Sequence, residues 1–300
     1  MKKTSENIFA VSVSIATALF LAVGKTLVFF ASGSIAILAS ALDSALDAVV
    51  SMVNFFAIRA AEKPADREHG FGHGKFEAFA EFGQGIFLLG SSVFLAFSAI
   101  ERLFTPVPIS REMIGIATML VSLVITFFLS SFLKKTAKKT ESLVVKADYA
   151  HYFSDILANA AVIVGLLGVW LFDIPWIDSV VGFGIALVIA KTAFELLRES
   201  FDILTDREIP REQRDEVVTI LNAEKGKGIT DWHLLRTRRV GSKIHIDAHI
   251  VFHDTTLLRD AHHVSDRITD KILQKIPRAV VLFHFDPHND VEDNIEMIER

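Results

Sequence analysis

Four ionisable residues lie in pairs inside otherwise apolar stretches of the chain. Asp43 and Asp47 stand four residues apart, and His151 and Asp155 repeat that spacing further along. Side chains four apart lie on one face of a helix, so each pair presents its two groups together. A mid-membrane Asp costs roughly 2.5–3.5 kcal/mol on insertion scales, so we expect a cation or a proton to compensate these charges. Three carboxylates and one imidazole suffice for a four-coordinate Zn²⁺.

A second group of ligand-type side chains occurs in the polar segment 64–75. Asp66, His69 and His73 are spaced by three and four residues, and glycines between them allow the backbone to wrap. The segment is either a metal-binding loop or a flexible polar connector, and the residues alone leave both open.

A third group lies in the last third of the chain, which holds most of the histidines. Three of them, His245, His249 and His253, differ by even numbers, so they share one strand face if the strand continues that far. Clustering favours a metal site, and solvated surface histidines are the alternative. The candidate ligands are His233, His245, His249, His253, His262, His263, His284 and Asp286.

Hydropathy predicts the elements that must hold the membrane pairs. The chain has 300 residues, 51% of them hydrophobic, with 25 Phe against 2 Tyr and a mean hydropathy of +0.41. These values exclude a disordered chain and favour lipid. A membrane-spanning helix needs about 20 apolar residues. Six segments qualify, and we read the first as a retained helix rather than a cleaved signal peptide: 8–30, 35–59, 77–100, 111–133, 148–172 and 176–200. Turns are predicted at 31–34, around Pro106 and Pro108, and at 173–175.

The charges exclude several classes and set the expected orientation. A net charge of −5 lacks the excess of basic residues that is typical of a nucleic-acid-binding protein. The absence of Cys excludes disulfides, thiol catalysis and thiolate metal sites. Lys and Arg accumulate near the N-terminus and in the segments 59–75 and 134–139, alternating with loops that hold almost none. Basic loops face the cytoplasm, so both termini are expected inside the cell, in agreement with six spans.

The hydrophilic tail is predicted to be a small α+β domain. Its pattern gives the order αββαβ, which resembles a ferredoxin-like sandwich. The predicted helices are 211–223 and 257–276, and the predicted strands are 232–240, 243–252 and 279–285. We therefore expect a six-helix transmembrane domain over 1–205, a cytoplasmic metal-binding domain over 206–291 and a mobile acidic tail over 292–300.

These residues together resemble the cation diffusion facilitator family, most closely its bacterial zinc/iron efflux proteins. The likeness covers nearly the whole chain: six spans, the two membrane motifs, the Phe71-Gly72-His73-Gly74-Lys75 loop and the final His284-Phe285-Asp286-Pro287. Such a protein is a homodimer in the bacterial inner membrane rather than an enzyme, with Zn²⁺ as substrate and as a regulatory ion.

The resemblance assigns residues to sites. It implies a transport site at Asp43, Asp47, His151 and Asp155, a loop site at Asp66, His69 and His73, and a binuclear tail site at His233, His249, His262, His284 and Asp286. It also implies a charge interlock between Lys75 and Asp206 that holds the dimer together. Relatives often carry Gln where this chain has Phe285, so a polar ligand is missing here.

The expected activity is zinc export coupled to protons moving inward, since metal and protons compete for the same groups. Imidazole at His151 favours Zn²⁺, Cd²⁺, Co²⁺ or Fe²⁺ over Mn²⁺. The alternatives are a non-transporting membrane metal sensor or scaffold and an intramembrane enzyme. A prenyltransferase would not need His151 or the histidine-rich tail, and a zinc protease is disfavoured because the chain has no His-Glu-x-x-His.

Overall fold

The computed structural model describes residues 2–33, 35–104, 113–172 and 176–288. Long helices come first and a smaller α/β part follows. The helices and strands are α1 Lys2–Ser32, α2 Ile35–Ala61, α3 Lys75–Phe104, α4 Met113–Thr140, α5 Leu143–Phe172, α6 Trp176–Leu204, α7 Arg211–Glu224, β1 Asp231–Val240, β2 Lys243–Phe252, α8 Leu258–Lys275 and β3 Ala279–Pro287.

The long helices extend beyond most of the predicted apolar segments, because their ends carry polar residues that still continue the helix. Gly33 ends α1 with φ +68°, a left-handed conformation that glycine adopts without strain, and its N–H donates to the Phe29 carbonyl at 2.7 Å. The rest of the turn predicted at 31–34, namely Ser34, lies outside the described residues. So do the Pro106/Pro108 stretch, the 173–175 turn and the acidic 292–300 segment.

The long helices form a membrane-type domain. Phe20, Phe94 and Phe128 are 67%, 75% and 68% exposed, which a water-facing surface would not favour. Among the described residues, five helices are long and apolar enough to cross a membrane: Ser5–Ser32, Ile37–Ala61, Lys75–Glu101, Ala117–Thr140 and Ser179–Leu204.

Helix α5 lies at the centre of this domain. Its Val144, Val145 and Tyr152 pack in one apolar cluster with residues of α1, α2 and α4. Its Ala147 and Ala150 pack in another with residues of α3 and α6. The groups on α5 are therefore buried among several helices, which reduces their contact with water and raises the need for polar partners.

The α/β part has the predicted order αββαβ. Its 3-stranded sheet has the order β1-β2-β3, with β1 antiparallel to β2 and β2 parallel to β3. The observed ends lie within two residues of the predicted ones. β2 ends at Phe252, the predicted end, so the condition for His253 is not met and it does not share the strand face of His245 and His249. Instead, His253 Nδ1 lies 2.9 Å from Thr255 Oγ1 in the turn that follows.

Alternation along β2 separates the core from a polar face. Ile246 and Ile250 are fully buried against α7 and α8, where Leu221 and Ile272 complete the core. Ala248 belongs to the same core, and the alternate residues Asp247 and His249 point to the opposite face. One side of the sheet thus stabilises the fold, and the other is left for ligands.

The chain divides into two compact units, Met1–Phe201 and Asp202–Arg300. We refer to the second as the tail domain. Within it, the Glu224 carboxylate at the end of α7 is 1% exposed and binds two basic side chains of α8. Arg267 Nη2 donates to it at 3.0 Å, and Lys271 pairs with its other oxygen.

Replacing Glu224 with Gln is expected to destabilise the tail domain by about 1–3 kcal/mol, below the range for a fully buried pair because both basic partners are half-exposed. Burial opposes ionisation, but hydrogen bonds from Lys271 and Arg267 hold the pKa of Glu224 below its usual range. Its contribution is therefore present above the unfolded pKa of about 4.3 and is lost as pH falls through the folded pKa. Glu212→Gln, on the exposed face of α7, is the control.

Urea unfolding of the full chain, followed by Trp232 fluorescence after the other two tryptophans are changed to Phe, measures this difference. Equal midpoints for the two variants at pH 7 would show that the Glu224 ion pairs do not stabilise the domain.

Candidate metal centres

The first centre joins α2 and α5 inside the membrane-type domain. His151 Nε2 lies 2.9 Å from Asp47 Oδ1 and 3.7 Å from Asp155 Oδ2. Ligand atoms of these three residues all fall within 4.8 Å of one another. His151 is 2% exposed, and the Phe87 ring of α3 lies 5.8 Å from its own ring. The arrangement places one imidazole nitrogen and two carboxylates around one point.

Asp43 lies one helical turn from Asp47 on α2. Its side chain is exposed, and it is not among the three residues whose ligand atoms lie within 4.8 Å. The structure therefore brings together three of the four predicted ligands. A tetrahedral zinc held by three protein groups has one position left for a fourth ligand.

A basic side chain of α1 lies near this centre. The Lys25 ammonium of α1 donates to Ser44 Oγ at 2.8 Å and to the Ser40 carbonyl at 3.3 Å. From there it interacts electrostatically with Asp47, Asp43 and Asp155. Lys25 thus balances part of the negative charge that a bound cation would otherwise balance.

The second centre is the loop between α2 and α3. Asp66 Oδ2 lies 3.2 Å from His73 Nε2, and Asp66 Oδ1 lies 3.4 Å from His69 Nδ1. His73 Nδ1 lies 3.2 Å from the Pro64 carbonyl, which can only accept, so Nδ1 donates to it and Nε2 is the nitrogen that faces Asp66 and would bind a metal. The backbone N–H of His69 donates to Asp66 and holds the pKa of that carboxyl below its usual range.

The third centre is a row across the tail-domain sheet. His233 of β1 pairs in register with His249 of β2, which pairs with His284 of β3. Asp286 is 4% exposed and contacts all three histidines. Its Oδ2 is 2.8 Å from His249 Nδ1 and 3.3 Å from His233 Nε2. Its Oδ1 is 3.2 Å from His284 Nε2. Ligand atoms of His233, His249 and Asp286 all lie within 4.8 Å of one another, whereas His284 contacts the other oxygen of Asp286 and is not in that group. Two imidazoles and a carboxylate are donors that zinc accepts, so these residues fit the ion.

Two histidines on this sheet have a lowered pKa. Burial lowers the pKa of His233, although the Asp286 carboxylate opposes this. Burial and the charge of Arg238 lower the pKa of His245. Both imidazoles therefore stay neutral to lower pH than free histidine, and the neutral form is the one that binds a metal.

The remaining predicted tail residues lie apart from the row. His262 is exposed on α8, with Nε2 3.7 Å from Asp266 Oδ2, and its neighbour His263 is exposed as well. Phe285 packs against Phe252 in the core, with ring centroids 5.2 Å apart, while His284 before it faces the other side. In this protomer, a side chain at position 285 therefore points away from the metal ligands.

The two residues of the predicted interlock belong to different compact units. Lys75 is the first residue of α3, and Asp206 follows α6 with φ +58°. Within its own unit, Asp206 accepts from Arg238 Nη1 at 3.5 Å.

Replacing Asp286 with Ala should weaken metal binding at the tail row by about 10–100-fold, because this carboxylate contacts all three imidazoles. His262→Ala should leave that site unchanged. Zinc binding is measured by calorimetric titration of the full chain. Each variant also carries Asp47→Ala and Asp66→Ala, which weaken the other two centres, so that the titration reports on the tail site. Equal loss of affinity in both variants would show that the row is not a site of its own.

Comparison with known proteins identifies the family. The model of the cation efflux transmembrane domain matches residues 11–205, and that of the cytoplasmic domain of cation efflux proteins matches residues 209–288. The cation-efflux pump FieF of Citrobacter koseri is 34% identical over 278 residues, which cover 93% of this chain and 91% of the relative. FieF of Klebsiella pneumoniae subsp. pneumoniae is 35% identical over 267 residues, covering 89% and 88%.

A solved structure of the zinc-transporter candidate CzrB in its zinc form is 24% identical, with a TM-score of 0.27, and covers 28% of this chain and 96% of the other. The assignment rests on the two domain models and the full-length relatives. This multi-pass membrane protein therefore belongs to the cation efflux, or cation diffusion facilitator, family of transporters.

Proposed function

We propose that the chain exports a divalent metal, with zinc as its main substrate, from the bacterial cytoplasm in exchange for protons. The observation that carries this proposal is the convergence of Asp47, His151 and Asp155 within 4.8 Å inside the helices of a cation efflux domain. Ionisable groups within membrane helices are costly and are kept for ion pathways. Asp43, on the same helix as Asp47, supplies the fourth ligand when the metal is bound.

The coupling follows from the ligand chemistry. Zinc needs a neutral imidazole and ionised carboxylates, so it displaces protons from His151, Asp47 and Asp155 as it binds. On the cytoplasmic side the site takes the metal and releases protons. On the outer side, protons return to these groups and displace the metal. Export proceeds if the loaded and the protonated forms change sides but the empty, charged form does not.

The ligand types of the transport centre also determine which metal it prefers. Imidazole is softer than carboxylate, so His151 favours Zn²⁺, Cd²⁺, Fe²⁺ and Co²⁺ over Mn²⁺. FieF, the relative, is described as a cation-efflux pump, which agrees with a divalent cation as substrate.

We propose that the protein works as a homodimer in the inner membrane, with six spans and both termini in the cytoplasm. Helix α5 supplies the sixth span, since it has 30 residues and supplies two of the transport ligands. Lys75 and Asp206 pair at the membrane surface and hold the dimer together. In the tail domain, His233, His249, His284 and Asp286 bind one regulatory zinc, and His262 belongs to a second.

The test uses proteoliposomes with an imposed pH gradient. We expect zinc uptake to rise with the gradient and to stop when an ionophore collapses it. Zinc binding without gradient-dependent flux would contradict export and would instead indicate a metal sensor or scaffold.

A further inference from the structure

A buried carboxylate that the transport mechanism does not use lies one turn from the metal ligands. Asp148 of α5 is 0% exposed. It accepts hydrogen bonds from Ser14 Oγ of α1 at 2.6 Å and from Ser51 Oγ and Asn54 Nδ2 of α2, both at 3.2 Å. We call Asp148, Ser14, Ser51 and Asn54 the polar layer.

Further hydrogen bonds extend the polar layer to a fourth helix and to the neighbouring tyrosine. Asn54 Nδ2 also donates to Gln84 Oε1 of α3 at 2.9 Å. The Tyr152 hydroxyl lies 3.2 Å from Ser51 Oγ and 3.4 Å from the Ser14 carbonyl. Buried polar groups satisfied in this way specify a single packing arrangement, since any shift leaves one of them without a partner.

Helical spacing places the polar layer directly beside the metal centre. On α2, Ser51 and Asn54 follow Asp47 by four and seven residues, so all three share a face. On α5, Asp148 precedes His151 by three residues and lies on the same side. Each of these two helices therefore carries both metal ligands and polar-layer residues, so the metal centre and the polar layer join the same pair of helices.

The packing of α2 against α5 matters for Asp47 but not for the pair His151 and Asp155. His151 and Asp155 belong to one helix, so their relation is fixed by the backbone of α5. Asp47 reaches His151 only if α2 and α5 keep their register, and the 2.9 Å contact between them is made one turn from the polar layer.

From this geometry we infer that Asp148 is a positioning residue for the transport site: its hydrogen bonds from Ser14, Ser51 and Asn54 hold α2 against α5 so that Asp47 meets the metal bound at His151. The inference rests on the proposed function only for the identity of the metal, since it concerns binding and not flux. Outer groups of this kind change metal affinity by about 10–100-fold when removed.

The test measures zinc affinity of the full chain by competition with a fluorescent zinc indicator, in a background of His249→Ala and Asp66→Ala that weakens the other two centres. We expect Asp148→Ala to weaken binding about tenfold. We expect the zinc affinity of Asp148→Asn to stay within about twofold of that of the unmodified protein. Its amide oxygen still accepts from Ser51 and Asn54, and its amide N–H can donate to Ser14 Oγ.

A double-mutant cycle separates positioning from general damage. The effect of Asp148→Ala should largely vanish when Asp47 is already Asn. It should persist when Asp155 is Asn, because that ligand does not depend on the α2–α5 register. Equal effects in both backgrounds, or an Asp148→Asn variant as weak as Asp148→Ala, would overturn the inference.

Single hydroxyl deletions provide a second route if Asp148→Ala does not fold, as judged by its melting temperature. Ser51→Ala removes one of the two α2 donors to Asp148 and should weaken zinc binding. Ser200→Ala is the matched control, because this serine is also 0% exposed but donates to carbonyls of its own helix α6. Equal affinities for these two variants would also overturn the inference. Absence of flux in the unmodified protein would instead contradict the proposed export and leave these binding results valid.

Discussion

Replacing Asp155 with Ala is expected to slow gradient-driven zinc uptake at least about a hundredfold. The substitution removes a carboxylate that both binds the metal and takes up a proton when the metal leaves. The measurement is the initial rate of zinc uptake into proteoliposomes at saturating zinc. Asn159→Ala is the matched control: this side chain lies one turn further along α5, and its amide donates to the Asp155 carbonyl at 2.8 Å. We expect the control to transport at close to the unmodified rate.

The same assay addresses the two acidic positions of α2. Asp47→Ala should be as inactive as Asp155→Ala, since both carboxylates lie beside His151. Asp43→Ala should also slow uptake, but by a smaller factor, because Asp43 reaches the metal only in the loaded site. Uptake at the unmodified rate in Asp47→Ala or Asp155→Ala would mean that the metal crosses elsewhere.

Replacing His151 with Asp is expected to change which metal is carried. The only nitrogen ligand of the centre becomes a carboxylate, and an all-oxygen site loses its preference for zinc over the harder Mn²⁺. We expect the ratio of zinc to manganese uptake to fall about tenfold, measured with both metals present in the same vesicles.

The control for this change is His69→Asp, which makes the same substitution in the loop between α2 and α3. It should leave the zinc-to-manganese ratio unchanged. A His151→Asp variant that retained the unmodified ratio would show that the imidazole does not select the metal.

Local spacing was enough to predict much of the fold and parts of each centre. Pairs four residues apart on helices, and alternation along β2, determine which side chains share a face without knowledge of the fold. The row of His233, His249 and His284 depends on strand pairing as well, and β3 pairs in parallel with β2 only after helix α8, so spacing along one strand does not show it. An even spacing alone does not place His253 beside His249, because β2 ends at Phe252.

Contacts between distant helices could not be predicted in this way. Asp148 precedes His151 by three residues within an apolar segment, which places it on the same face, but the partners that satisfy it come from α1 and α2. Lys25 is a lone charge within the apolar part of α1, and its proximity to the acidic residues depends on how α1 packs against α2. Sequence periodicity describes one helix at a time, so it identifies such residues as unusual without assigning their partners.

The central claim is that zinc and protons exchange through Asp47, His151 and Asp155. The most direct measurement records both ions in the same proteoliposomes, with a zinc indicator and a pH indicator enclosed together. We predict zinc and protons moving in opposite directions in a constant ratio, and the loss of both fluxes in Asp155→Ala. Zinc movement with no accompanying proton movement, or coupled fluxes that persist in Asp155→Ala, would contradict the account.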